Sequence, residues 1–225
     1  MSDLLRVTLI QTALHWQEPA ANRADFTSHL APLAGATDLI VLPEMFTTGF
    51  SMSAEQLAEP ADGATSAWLR EQARALSAAV TGSLIVSEAG QFYNRLLWAT
   101  PDGRIAHYDK RHLFRMGREH EHFAGGAAPL LVEWRGWRIC PLVCYDLRFP
   151  VWSRRRPALD YDLLLYVANW PAARRYAWSQ LLKARAIENQ AYVVGINRIG
   201  DDGQGISHAG ESAVLDFLGI PLAED

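Results

Sequence analysis

Strand-length apolar runs alternating with helix-length segments are what most narrows the folds open to this chain. Residues 38–43, Asp-Leu-Ile-Val-Leu-Pro, form a short apolar run stopped by proline, as in a strand buried on both faces. Residues 6–11 and 80–86 also read as strands, and a helix is expected from about residue 20 to 34, closed by Gly35. Thr65 is placed to cap a second helix whose apolar face is Trp68, Leu69, Ala73 and Leu76. A hairpin over 92–99 turns at Pro101-Asp102-Gly103 and returns in a strand ending near Lys110. After a long loop at 113–129 come strands at 130–134 and 137–143, then strand 163–168, helix 172–189 and strand 192–197. A last strand is expected at 213–217. The β-α-β rhythm predicts one α/β domain over residues 1–225.

Composition removes several classes of function. With 49% hydrophobic and 20% charged residues, the chain is neither a disordered segment nor a coiled coil. A net charge of −4 gives no reason to expect nucleic-acid or anionic-membrane binding. The apolar runs fall far short of the ~20 residues that span a bilayer, and residues 4–10 are too short and too interrupted for a signal peptide. Cys140 and Cys144 make no disulfide framework, so a reducing cytoplasm is the expected setting. His120-Glu121-His122 has no third partner nearby, and no metal is expected there.

Three reactive side chains fall where an apolar strand gives way to a loop: Glu44, Lys110 and Cys144. Strand ends in α/β sheets are where ligands bind, and a carboxylate, an ammonium and a thiol together supply base, electrostatic stabiliser and nucleophile. Singly, each has a plainer reading as a capping carboxylate, a surface charge or a small core residue. Tyr145-Asp146-Leu147-Arg148 sets charges beside the Cys144 thiol, the kind of surroundings that make a thiol reactive.

The segments Leu42-Pro43-Glu44-Met45-Phe46, Tyr108-Asp109-Lys110-Arg111-His112-Leu113-Phe114 and Val143-Cys144-Tyr145-Asp146-Leu147-Arg148-Phe149-Pro150 resemble, in order and spacing, the three signature motifs of the nitrilase (carbon–nitrogen hydrolase) superfamily. Tyr93-Asn94-Arg95, Ala168-Asn169-Trp170-Pro171, residues 184–190 and Gly210-Glu211-Ser212 match as well. Within the superfamily, residues 47–52, Phe114-Arg115-Met116 and Val151-Trp152-Ser153 look most like bacterial omega-amidases, which hydrolyse the terminal amide of dicarboxylic acid monoamides such as 2-oxoglutaramate.

The resemblance implies a four-layer α-β-β-α sandwich, usually paired as a homodimer, and cofactor-free acyl transfer. Glu44 would be the general base, Cys144 the nucleophile, and Lys110 with the backbone N–H of Tyr145 the oxyanion donors. A nitrile, an N-carbamoyl group or another aliphatic amide would suit the same machinery, and a catalytically silent metabolite binder is a further alternative. A second glutamate is implied in the 113–129 loop; Glu119 fits that position, with Glu121 the competitor. Phe114 and Trp170 would line the substrate pocket. Arg148 would either bind a distal carboxylate or pair with Asp146 to hold the nucleophile turn. Asn169 would bond near that turn or cap the next helix. Relatives are expected to continue beyond residues 221–225 with another strand and a tail, so the chain reads as short for the resemblance or as truncated.

Overall fold

The computed structural model describes residues 4–224; Met1-Ser2-Asp3 and Asp225, which the one-domain reading includes, lie outside the described residues. The first half contains β1 (Val7–Leu9), α1 (Pro19–Leu30), β2 (Leu39–Val41), α2 (Ala54–Leu57), β3 (Glu59–Pro60), α3 (Ala64–Leu76), β4 (Ala79–Glu88), β5 (Gln91–Ala99) and β6 (Ile105–Asp109). They build a sheet in the order β1-β2-β4-β5-β6, with β3 on the edge of β4. The second half contains β7 (Val132–Trp134), β8 (Trp137–Val143), α4 (Pro150–Ser153), β9 (Leu163–Ala168), α5 (Arg175–Asn189), β10 (Tyr192–Asn197), β11 (Ile199–Asp201), β12 (Ser207–Ala209), β13 (Ala213–Leu215) and β14 (Pro221–Glu224). Its main sheet runs β14-β13-β10-β9-β8-β7, and β11 and β12 form a separate two-stranded sheet.

Side-chain alternation along the strands explains the layering. Leu39 and Val41 point with Leu96, Trp98 and Tyr108 into a core shared with Cys140, Leu142 and other second-sheet residues. Ile40 and Leu42, one step along, instead join Phe26 and Leu30 of α1 and Leu69, Ala73 and Leu76 of α3. A strand period of two thus sends one face to the opposing sheet and the other to the helices. Trp178, Leu182 and Ala186 of α5 cover the outer face of the second sheet. Gly195 in β10 lets that helix sit close, since a Cβ there would lie 2.6 Å from Leu182 Cδ1. The result is the α-β-β-α sandwich.

Some local readings need correction. Thr65 does not cap α3, because it lies inside the helix. The Glu59 carboxylate does that work, accepting the Thr65 N–H at 2.6 Å and its hydroxyl at 2.5 Å. The helix read at 172–189 begins at Arg175, after a 3₁₀ turn at Ala172–Arg174. The final strand stops at Leu215, because the Asp216 carboxylate accepts the N–H groups of Leu218 and Ile220 and turns the chain into β14. The β11–β12 hairpin went unread; Gly200, Asp202, Gly203 and Gly205 give that stretch a loop composition. No helix among the described residues is long and apolar enough to cross a membrane.

Candidate active site

Glu44 follows β2, and Lys110 follows β6, two elements of one sheet. Both side chains are fully buried, as is Glu119 in the 3₁₀ turn Glu119–Glu121. Lys110 Nζ donates to Glu44 Oε1 at 2.8 Å and to the two Glu119 oxygens at 3.0 and 2.9 Å. Asn94 Nδ2 on β5 ties the two carboxylates together, donating to Glu44 Oε1 at 2.8 Å and Glu119 Oε1 at 3.1 Å. The other Glu44 oxygen accepts the Asn169 backbone N–H at 2.8 Å, and Asn169 Nδ2 donates to the Glu44 carbonyl. Asn169 is therefore bonded to Glu44 and does not cap a helix. Glu121 is outside this cluster, paired with Arg118 at 2.6 Å.

The loop carrying Glu119 is held against β6 by backbone contact. Gly126 N–H donates to the Lys110 carbonyl at 2.9 Å. A Cβ on Gly126 would fall 2.1 Å from the Asp109 carbonyl oxygen, so only glycine permits this approach.

Cys144 follows β8 and opens the 3₁₀ turn Cys144–Arg148 with φ at +44°, a left-handed conformation that costs a non-glycine residue about 1–3 kcal/mol. Asp146 holds this turn. Its carboxylate accepts the Tyr108 hydroxyl at 2.7 Å, the Val143 N–H at 3.1 Å and the His112 N–H at 2.9 Å. The expected Asp146–Arg148 pair is absent, since those groups already fill the carboxylate. Arg185 of α5, buried under the turn, donates to the Leu147 carbonyl through Nε at 3.1 Å and Nη2 at 2.7 Å. Arg185→Met should destabilise the protein by about 1–3 kcal/mol in denaturant melts, because it leaves that carbonyl unsatisfied.

Charge in the cluster is unbalanced, with two carboxylates around one ammonium. Burial alone would lower the Lys110 pKa, but Glu119 and Glu44 outweigh it and hold the ammonium well above its ordinary range. Burial raises the Glu119 carboxyl, with Lys110 opposing and Glu44 adding to the rise. Burial and then Glu44 push the Cys144 thiol well above its usual value, against the smaller pull of Lys110. The Cys144 thiol thus lies next to the Glu44 carboxyl group.

Comparison with known proteins identifies the family. The sequence profile of the carbon–nitrogen hydrolase family matches residues 6–225. The chain is 53% identical to the omega-amidase YafV of Yersinia enterocolitica, over 96% of this chain and 82% of that protein. It is 32% identical to the 2-oxoglutaramate amidase of Bacillus subtilis, over 97% of this chain and 85% of that protein. A crystal structure from Xanthomonas campestris, a CN-hydrolase superfamily protein with an arsenic adduct in its active site, superposes with a TM-score of 0.96 at 55% identity; the match covers 98% of this chain and 86% of that one. The chain belongs to the carbon–nitrogen hydrolase family.

In this hydrolase Cys144 opens into a cavity of about 110 Å³. Phe50, Met52, Phe114, Tyr145 and Trp170 make its apolar wall, and Arg148 and Arg174 border it. Phe114 is pinned to the cluster, its N–H donating to Glu119 Oε2 at 2.5 Å. Trp170 N–H donates to Asn197 Oδ1 at 2.7 Å. The β11–β12 hairpin supplies Asp202, Ile206 and His208 to the same cavity. Asn94, Arg174, Arg185 and this hairpin had no role in the sequence reading. Asn94, Arg185 and the adjoining Asn169-Trp170-Pro171 lie in segments that match the superfamily, which was the available signal. Arg174 had none, being one of two adjacent arginines outside every matching segment. Among the described residues no group of His, Cys, Asp and Glu is arranged to hold a metal ion.

Proposed function

We propose that this hydrolase, a single carbon–nitrogen hydrolase domain over residues 1–225, cleaves the terminal amide of small ω-amido acids of the 2-oxoglutaramate or succinamate type, giving a carboxylate and ammonia. The observation that carries the reading is the buried Glu44–Lys110–Glu119 cluster beside Cys144, at the foot of an apolar cavity bordered by arginine. The names of the omega-amidase and 2-oxoglutaramate amidase relatives support the substrate class.

In this mechanism Glu44 takes the Cys144 proton as sulfur attacks the amide carbonyl. Lys110 and the Tyr145 N–H stabilise the oxyanion; the first N–H groups of a 3₁₀ turn lack acceptors within it and are free to do so. Lys110 makes a two-oxygen contact with Glu119, and loosening it to one oxygen releases an N–H for the substrate. Glu119 positions the lysine. Glu44 returns its proton to the leaving nitrogen, ammonia departs, and a Cys144 thioester remains. Glu44 then deprotonates water, which attacks the thioester; the carboxylic acid leaves and the thiol is restored. Phe114 and Trp170 form the wall for the aliphatic chain, Arg148 faces the distal carboxylate, and Asn169 orients Glu44.

Ammonia release across a panel of ω-amides, N-carbamoyl amino acids, aliphatic amides and nitriles tests this. Succinamate and 2-oxoglutaramate are expected to be the fastest, with a transient acyl adduct visible by intact mass. Absence of turnover on every ω-amide sinks the assignment. The setting is a cytoplasmic homodimer, in keeping with two free thiols and with the exposed apolar group Ile187, Leu218, Ile220 and Leu222.

A further inference from the structure

Arg174 was not singled out by any motif, yet it borders the same cavity as Cys144. Its guanidinium carbon lies 5.3 Å from the centroid of the Phe114 ring, and that of Arg148 lies 5.1 Å from the Trp170 ring. Trp170 joins the two, since its Nε1–H donates to the Arg174 carbonyl at 2.9 Å. Both arginines thus rest over aromatic rings that are themselves anchored, Phe114 to Glu119 and Trp170 to Asn197.

Among the described residues, neither guanidinium takes part in an ion pair or a side-chain hydrogen bond, whereas the adjacent Arg175 pairs with Glu211 at 3.6 Å. Asp202 is the one carboxylate on the cavity wall. Its Oδ1 is taken by the Gln204 and Ile206 N–H groups at 2.8 and 2.9 Å, which shape the tip of the β11–β12 hairpin. An apolar cavity with two unpaired guanidiniums calls for an anionic ligand group. A guanidinium resting over an aromatic ring can still offer N–H groups to a carboxylate.

We infer that Arg174 and Arg148 form a two-arginine clamp for the carboxylate at the far end of the substrate, with Arg174 a specificity-determining residue. The inference rests on the ω-amidase reading and adds to it the group that distinguishes an ω-amido acid from a neutral amide of equal length. Succinamate and butyramide are suitable probes, because they differ by a carboxylate in place of a methyl group. The wild-type enzyme is expected to prefer succinamate in kcat/KM. Arg174→Met should lower the succinamate-to-butyramide ratio by about 10- to 100-fold, mainly through the KM for succinamate. Arg174→Lys should recover part of the ratio, as it restores charge without the two-pronged geometry. If the wild type prefers succinamate and Arg174→Met keeps that ratio within about twofold, the clamp is wrong while the ω-amidase reading stands. An equal fall with both amides also overturns it, by showing a general effect on the site. A wild type that cleaves butyramide as readily as succinamate removes the ω-amidase reading itself.

Discussion

Cys144→Ala is expected to abolish ammonia release, a fall on the order of 10⁴-fold or more, with no acyl adduct by intact mass. Two features set this thiol apart from a packed cysteine. It follows β8 with φ at +44°, in the turn that leaves the strand, whereas Cys140 lies within the strand. It also opens into the cavity shared by Arg148 and Trp170. Cys140, four residues earlier on the same strand, is the internal control: it is fully enclosed in the core, and burial pushes its thiol up to about 12. Cys140→Ala should therefore cost stability and leave an acyl adduct still forming. Turnover by Cys144→Ala comparable to wild type would falsify the nucleophile assignment.

Glu44→Gln is expected to slow both thioester formation and its hydrolysis, each by about 10²- to 10⁴-fold. Glutamine keeps the shape, but its single amide oxygen can accept from Lys110 or from the Asn169 N–H and not from both, and it cannot receive a proton. The thiol gives a second readout with a definite sign. The Glu44 carboxylate is one of the causes that raise the Cys144 pKa, while Lys110 lowers it. Removing that negative charge should move the thiol pKa down, so the pH profile of Cys144 alkylation by iodoacetamide shifts to lower pH. A variant with a more easily ionised thiol and much slower turnover separates a base from a residue that only tunes the nucleophile. A rapid burst of thioester in Glu44→Gln would contradict the base role.

Much of the scaffold was legible because its signals are local. β8, β9 and β10 were read with the bounds they have, since each is a compact apolar run between turn residues. The errors fell where a side chain outside an element sets its boundary. Thr65 has the composition of a cap, but the carboxylate of Glu59, on β3, accepts its N–H in the first turn of α3. The β11–β12 hairpin lacks an apolar alternation, and its tip is shaped by Asp202 accepting backbone N–H groups.

The site divides in the same way. Sequence alone determined which reactive residue types stand at which strand ends, because strand periodicity and motif order are properties of neighbouring residues. Glu44, Lys110 and Cys144 were found that way. Only the tertiary structure decided their partners. It buried Glu119 against Lys110 and left Glu121 with Arg118 at the surface. It gave Asp146 to Tyr108, Val143 and His112, which freed Arg148 to face the cavity. It set Asn169 on Glu44 across 125 residues and brought Arg174 to the cavity that Arg148 also lines. Such choices depend on how two sheets pack face to face and where their connecting loops converge, distances that no local pattern encodes.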